Sequence, residues 1–241
     1  MAKGIFITGT DTGVGKTVVA GGLACALMRE GFDVGVMKPV QTGCLETADG
    51  LLAPDTNFLI NITDVRDNID LITPYRFKEP LAPSVSAETE GREIDIERII
   101  TSYNLLTKIH DSIIVEGVGG ILVPIWKDLL FIDLIKKLSI PIIIVARTGL
   151  GTINHTLLTA RYAHDNGIEI IGIIFNHTDK KEDGIAERTN PDIIKRLCNI
   201  PILGILPFIN NLNTEDVKSG NLCNIFSEKI DVKYIKSFLS V

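Results

Sequence analysis

Short, nearly continuous runs of β-branched and other apolar residues recur along the chain, and they constrain its fold more than any other feature. The runs cover residues 5–7, 34–37, 113–115, 142–145 and 170–175, with residues 201–206 as a sixth candidate. Apolar and polar residues do not alternate within them, so each run is typical of a strand buried on both faces, as in a parallel sheet.

The segments between these runs have helical length and helical patterns. Helices are predicted at residues 16–30, 129–138, 153–166 and 191–198. Strands that alternate with helices indicate an α/β fold with a doubly wound, mainly parallel sheet and helices on both faces, as in P-loop NTPases.

The chain carries no internal repeat and no linker, so we predict a single domain over residues 1–241. One stretch, residues 43–91, breaks the alternation because it is rich in Asp, Asn, Thr and Pro. A structureless loop of that length is unusual in a compact domain, so we expect it to carry function or short helices of its own.

Composition narrows the classes of function. Lys and Arg total 24 against 30 Asp and Glu, a net charge of -6 without a block of like charge, which argues against a nucleic-acid partner. The apolar run at residues 140–146 is far shorter than the roughly 18 residues of a membrane span, and the apolar run within residues 1–8 is too short for a signal peptide. We expect a cytoplasmic protein with no membrane partner.

The four cysteines are Cys25, Cys44, Cys198 and Cys223, and they form no CxxC pair. This spacing argues against zinc and thioredoxin-like sites. It favours reduced thiols over a disulfide, in keeping with a cytoplasmic location.

The strongest chemical signal is the segment GTDTGVGKT at residues 9–17, which follows the first predicted strand and begins the first predicted helix. In a phosphate-binding loop, glycines free backbone N–H groups for phosphate oxygens, Lys16 reaches the β and γ phosphates, and the Thr17 hydroxyl binds Mg²⁺. The spacing departs from the usual one, because five residues separate Gly9 from Gly15 and Thr10 stands where the first glycine is usual. The alternative is a glycine-rich turn with an incidental lysine, and the strand–helix context favours the phosphate site.

Two carboxylates are candidates for a metal site. Glu116 follows a predicted strand, at the edge where open α/β sheets bind ligands. By itself an acid at this place is more often a turn residue, but a phosphate-binding loop at the same edge favours a Mg²⁺ ligand. Asp55, within the segment Pro-Asp-Thr, is equally compatible with a helix N-cap.

Lys38 and Asn176 end two further predicted strands. Lys38 is either an exposed lysine at a strand end or a second ammonium that, with Lys16, stabilises phosphoryl oxygens. Asn176 is either a turn residue or a reader of adenine, since its amide offers a donor and an acceptor together. His155 and His177 fit no metal motif, which favours structural roles.

Residues 147–154 run from a predicted strand into a predicted helix. Two glycines leave backbone N–H groups open, Thr152 and Asn154 add polar side chains, and a helix N-terminus attracts anions. The residues alone are compatible with an ordinary capped turn as well as with a site for a carboxylate.

Taken together, these motifs resemble the dethiobiotin synthase family, ATP-dependent carboxylases of biotin biosynthesis. The resemblance covers residue 4 to about residue 209, with the motifs in the family's order. They are residues 9–17, KPVQTG at 38–43, Asp55, YRF at 75–77, Pro80, Pro83, Glu88, Glu90-Gly91, VEGVGG at 115–120, LGTINH at 150–155 and Leu203-Gly204. Thr42 stands where the family often has Ser, which keeps the hydroxyl, and the segment after Asn210 has no match.

The resemblance implies a role for each matching residue. Lys16 and Lys38 would be catalytic, and Thr17, Asp55 and Glu116 would hold Mg²⁺. ATP contacts are implied for Gly13, Val14, Gly15, Lys16, Thr17, Val18, Asp55, Glu116, Gly117, Val118, Gly119, Asn176, His177, Pro207, Phe208 and Ile209. Substrate contacts are implied for Thr12, Thr42, Gly151, Thr152 and Asn154, the last three from the neighbouring subunit of a homodimer with shared active sites.

The implied activity is formation of the cyclic urea of dethiobiotin from 7,8-diaminononanoate, CO₂ and ATP, through a carbamate and a carbamic–phosphoric anhydride. A partitioning or division-site switch ATPase is the alternative from another class, but its loop normally carries an extra lysine where this chain has Thr10, Asp11 and Thr12. An amidoligase of the cobalamin-pathway type would need a glutamine-hydrolysing domain, for which the chain has no room.

Overall fold

A computed structural model describes residues 3–180 and 184–239. Its strands are β1 (Gly4–Gly9), β2 (Val34–Met37), β3 (Val40–Gln41), β4 (Leu45–Thr47), β5 (Gly50–Leu52), β6 (Tyr75–Arg76), β7 (Ser112–Gly120), β8 (Pro124–Trp126), β9 (Leu129–Leu130), β10 (Ile142–Ala146), β11 (Ile170–Asn176), β12 (Ile202–Leu206), β13 (Leu212–Asn213) and β14 (Lys218–Ser219). Its helices are α1 (Lys16–Arg29), α2 (Pro54–Thr63), α3 (Ile69–Ile72), α4 (Pro83–Thr89), α5 (Ile96–Ile109), α6 (Phe131–Leu138), α7 (Thr152–Asp165), α8 (Ile185–Cys198), α9 (Leu222–Lys229) and α10 (Val232–Lys236).

Six strands form one parallel sheet in the order β12-β11-β10-β1-β7-β2. Alternate residues of β1 enter two separate hydrophobic clusters, with Phe6 in one and Ile5 and Ile7 in the other. Helices α5, α6, α7 and α8 contribute to the first cluster, and helices α1, α2, α9 and α10 to the second. Both faces are therefore covered, which confirms the predicted doubly wound fold and explains why the strand sequences are apolar throughout.

The stretch from residue 43 to 91 has the short elements that its composition predicts. It folds into the β4–β5 hairpin, the helices α2, α3 and α4, and strand β6, which pairs with β3. Asp55 and residues 80–82 of this stretch line the same cavity as the phosphate-binding loop.

Several element bounds differ from the prediction. Helix α6 begins at Phe131 because Leu130 belongs to β9 and its N–H donates to the Asp133 carboxylate, 2.9 Å away. The predicted helix starts at Pro191, because proline is common in the first turn of a helix. In the structure, α8 begins at Ile185 and contains Pro191 in its interior. Strand β7 continues to Gly120, so Glu116 lies within the strand and not after it.

The prediction of four reduced cysteines is wrong for one pair, because Cys25 and Cys223 form a disulfide between α1 and α9. The Phe226 ring of α9 packs against Gly22 of α1, where a side chain would collide with it. The two helices are thereby brought together although the cysteines lie 198 positions apart, a proximity that spacing along the chain cannot reveal. Cys44 and Cys198 are free thiols, as predicted.

None of the helices in the part of the chain that the structure describes is long and apolar enough to cross a membrane.

Candidate active site

The segment after β1 has the geometry of a phosphate-binding loop. Gly13 and Gly15 adopt positive φ values of 73° and 92°, a conformation that favours glycine, and α1 begins at Lys16. The Lys16 ammonium donates to the backbone oxygen of Asp11 at 3.0 Å. The Asp11 carboxylate also accepts from Arg147, 2.6 Å away, which ties the loop to the end of the neighbouring strand β10.

A buried ionic cluster lies beside this loop. The Lys38 ammonium lies 2.6 Å from Glu116 Oε1 and 2.7 Å from Asp55 Oδ2, and the Thr17 hydroxyl donates to Glu116 Oε1 at 2.8 Å. Lys38 is only 3% exposed and Glu116 only 1%, so the first is not the exposed strand-end lysine of the alternative reading. The cluster joins the end of β2, the start of α2, the start of α1 and strand β7.

The charges in this cluster shift one another's pKa values. Burial by itself would lower the pKa of Lys38, but the Glu116 and Asp55 carboxylates outweigh this effect and raise it. The same ammonium outweighs the effect of burial on Asp55 and lowers the pKa of that carboxyl. Burial, together with the positive charge of Lys38, lowers the pKa of Lys16 to about 8. The loop lysine is therefore held in a site that disfavours its charge until an anion arrives.

The donor set fits Mg²⁺. Glu116 Oε2 is buried and has no hydrogen-bond partner among the residues that the structure describes, although buried oxygens are nearly always satisfied. With the Thr17 hydroxyl and Asp55 it forms a group of hard oxygen donors, the type that Mg²⁺ prefers.

The ionic cluster opens into a cavity of about 670 Å³. Predicted site residues that line it are Thr12, Gly13, Gly15, Lys16, Thr17, Val18, Lys38, Thr42, Asp55, Glu116, Gly117, Val118 and Gly119. Sequence reasoning assigned no role to further lining residues, namely Pro80, Leu81, Ala82, Val123, Thr214 and Glu215. Thr214 and Glu215 lie between β13 and β14, beyond the motifs at residues 4–209 on which the sequence resemblance was based, so the sequence analysis did not single them out.

A second, smaller cavity of about 160 Å³ adjoins the loop at Gly15 and Val18. The other predicted residues that line it are Asn176, His177, Pro207, Phe208 and Ile209, joined by the unpredicted Thr178 and Leu212. The Asn176 amide donates to the Val14 oxygen at 3.0 Å, so one of its two N–H bonds fixes the phosphate-binding loop. Val14 contributes through this oxygen, since its side chain is fully buried.

The last three predicted residues, Gly151, Thr152 and Asn154, line neither cavity. Gly151 and Asn154 are exposed at the start of α7. The Thr152 hydroxyl donates to the Arg147 oxygen at 2.5 Å, and the Thr152 N–H donates to the Gly149 oxygen at 3.2 Å. Both groups complete the turn itself, so neither points to a ligand.

Comparisons with known proteins give matches over most of the chain. The family described as AAA domain matches residues 3–216. The chain is 43% identical over 238 residues to the ATP-dependent dethiobiotin synthetase of Thermodesulfovibrio yellowstonii, covering 95% of this chain and 99% of that one. The enzyme of the same name from Bacillus licheniformis is 43% identical over 233 residues, covering 97% and 95%.

Among solved structures, the MinC:MinD cell division protein complex of Aquifex aeolicus superimposes with a TM-score of 0.63. The match covers 100% of this chain and 98% of that one, at 16% sequence identity. At this identity the likeness shows a shared fold and nothing more.

Proposed function

The chain belongs to the family of ATP-dependent dethiobiotin synthetases, and from this premise we propose that it makes dethiobiotin from 7,8-diaminononanoate, CO₂ and ATP. The observation that carries the proposal is the convergence of Lys16, Lys38, Asp55 and Glu116 on one cavity next to a phosphate-binding loop.

The proposed reaction has three steps. One amine of the diamine adds to CO₂ and loses a proton, which gives a carbamate. A carbamate oxygen attacks the γ-phosphorus of ATP, the bond to the bridging oxygen breaks, and ADP leaves. The second amine then attacks the carbamoyl carbon and loses a proton, phosphate leaves, and the cyclic urea closes.

Lys16 and Lys38 act on the charge that gathers during phosphoryl transfer. Transfer of this kind depends mainly on positioning and on stabilising the negative oxygens, so two ammonium groups at one cavity suit it. Lys38 is held by two carboxylates, which keep it charged and fix its ammonium at the cavity wall. Within the described part of the chain, the Lys16 ammonium has one hydrogen bond, to the backbone oxygen of Asp11, which it can exchange for a phosphate oxygen.

Thr17, Asp55 and Glu116 are the residues that would hold Mg²⁺. The ion, when bound, supplies positive charge beside the phosphate oxygens. Glu116 offers its unpartnered Oε2 for this purpose, while its Oε1 stays bonded to Thr17 and Lys38.

The two cavities suit the two ends of ATP. Residues 13–18 and residues 117–119 of β7 would bind the phosphates, and the smaller cavity would take the adenine between Asn176, His177 and residues 207–209. In the larger cavity, Thr12 and Thr42 would contact the diamine, and Pro80 and Leu81 offer an apolar wall for its methylene chain.

We also propose a homodimer in which α7 of the partner completes each site. A nine-carbon substrate with its amines at the phosphates needs a carboxylate partner several carbons away, and Asn154 and Gly151 line neither cavity of their own chain. Large apolar side chains are exposed around this helix, with Leu150 98%, Leu158 61% and Leu122 51% exposed, beside a groove of about 410 Å³. Such a patch on a folded domain marks an interaction surface.

Asn154→Asp is expected to raise the diamine KM by roughly tenfold or more, because a carboxylate would then face the substrate carboxylate across the interface. The KM for ATP should change little. Asn104→Asp is the matched control, since it makes the same change on an exposed face of α5.

Mixing inactive Lys16→Ala chains with weakly active Asn154→Asp chains tests the shared site directly. Each heterodimer has one site with both halves intact, so part of the activity should return. A fully active monomer in sedimentation, or no recovery of activity despite proven exchange of subunits, would rule out sharing.

Phosphate release tests the function itself. We expect release from ATP to depend on 7,8-diaminononanoate and bicarbonate together, with one phosphate formed per dethiobiotin. An analogue with a single amine is the matched control, because it cannot close the ring. Release that responds to DNA or lipid vesicles, and not to the diamine, would instead indicate a switch ATPase.

The proposed partners are small molecules only, in keeping with the net charge of -6, which opposes nucleic-acid binding. A cytoplasmic location is proposed because ATP is the co-substrate.

A further inference from the structure

The buried side chain of Gln41 is hydrogen-bonded to Thr56, the residue that follows Asp55 of the ionic cluster. Gln41 is 3% exposed and lies on β3, between Lys38 and Thr42. Its Oε1 accepts two hydrogen bonds from Thr56, one from the backbone N–H at 3.0 Å and one from the hydroxyl at 2.8 Å.

The first of these bonds supplies a cap that α2 otherwise lacks. The N-cap residue is Ala53, whose side chain cannot accept a hydrogen bond, so the N–H groups of the first turn need an outside partner. Gln41 provides that partner from 15 positions away in the sequence. Asp55 is the residue directly before the capped Thr56, so the bond fixes the turn from which this carboxylate reaches Lys38.

Further hydrogen bonds connect Gln41 and Thr56 to their surroundings. Its backbone oxygen accepts from the Phe77 N–H at 2.9 Å, and the Thr56 hydroxyl is also bonded to that of Thr73 at 2.7 Å. Thr56 and Thr73 are completely buried. Within this network the amide of Gln41 is the group that connects the strand after Lys38 with the helix end that carries Asp55.

We infer that Gln41 is a positioning residue, which sets Asp55 for Mg²⁺ by capping the first turn of α2. This inference rests on the proposed function, in which Asp55 is one of the Mg²⁺ ligands. Residues that orient a metal ligand typically change metal affinity ten- to a hundredfold when replaced. A residue with a purely structural role would change the stability of the fold and leave that affinity alone.

The readout is the ratio of the ADP dissociation constants without and with Mg²⁺, measured by calorimetry on the full chain. Gln41→Met removes the acceptor at similar length, so we expect this ratio to fall by roughly tenfold. ADP binding without Mg²⁺ should stay within about twofold, because the phosphate-binding loop is unchanged. If Gln41→Met does not fold, Gln41→Asn replaces it, since its amide is one methylene too short to reach Thr56.

Two variants serve as controls. Thr73→Val also loses a buried hydrogen bond of the network but leaves the N–H of Thr56 capped, so its ratio should equal that of the wild type. Gln41→Glu keeps the acceptor, so its ratio should be no lower than that of the wild type.

The inference is overturned if Gln41→Met and Thr73→Val change the ratio equally, or if Gln41→Glu lowers the ratio as much as Gln41→Met does. Such results would leave the proposed function standing, because diamine-dependent phosphate release by the wild type is measured separately. A wild-type ratio of one would count against the Mg²⁺ site itself, and with it against this role of Gln41.

Discussion

Replacing Lys38 by Met is expected to lower turnover by roughly 10²-fold or more, the usual cost of losing a donor to a developing oxyanion. The substitution keeps the length of the side chain and removes its charge from a cavity wall where it is 3% exposed. Steady-state turnover with saturating diamine, bicarbonate and ATP measures the effect. Turnover near that of the wild type would show that Lys38 has no part in the chemistry.

The same variant should lower the free energy of unfolding of the metal-free protein by about 3 kcal/mol, since it leaves Glu116 and Asp55 without their buried counter-charge. Urea denaturation in the presence of a chelator measures this. Lys137→Met is the control, because Lys137 is an exposed lysine paired with Glu97 at 3.3 Å, and such pairs contribute little to stability.

The fold could be predicted from the sequence because its main signal is local. A run such as residues 142–145 is apolar at every position, and that composition suits a strand covered on both faces. The phosphate-binding loop is local too, since Gly13, Gly15 and Lys16 are neighbours whose backbone conformation depends on their own residue types.

Features built from distant segments could not be predicted in this way. Glu215 reaches the large cavity only because β13 and β14 form a hairpin at its rim, and nothing in the residues near it indicates a ligand. Gln41 looks like any polar residue after a strand until Thr56 is found beside it. Pairings of this kind depend on the packing of whole elements, which local propensity does not encode.

Lys38 is another residue whose role could not be decided from the sequence alone. The sequence left open whether this lysine is exposed or functional, because a strand end is compatible with both. Burial between Asp55 and Glu116 decides against exposure, and the three residues come from different segments: Lys38 follows β2, Asp55 lies in α2 and Glu116 lies in β7.

Loss of the disulfide is the second large effect that we expect. In the chain-entropy description, a cross-link that closes a longer loop removes more freedom from the unfolded chain. Cys25 and Cys223 are 198 positions apart, which corresponds to about 5 kcal/mol of stabilisation. Replacing both by Ser should therefore lower the melting temperature by about 10–20 °C for a chain of this size.

Thermal unfolding of the double variant under non-reducing conditions measures this loss, and Cys198→Ser is the control, because Cys198 is a half-buried free thiol. Reductant should lower the melting temperature of the wild type toward that of the variant and leave the variant itself unchanged. Helix α9 directly follows the β13–β14 hairpin and packs on α1 with Phe226 and Leu222 buried, and this packing should persist when the bond is absent. The protein should thus lose stability while ADP affinity at 25 °C stays within about twofold. Equal melting temperatures for the wild type and the double variant under non-reducing conditions would mean that helix packing alone holds the C-terminal segment in place.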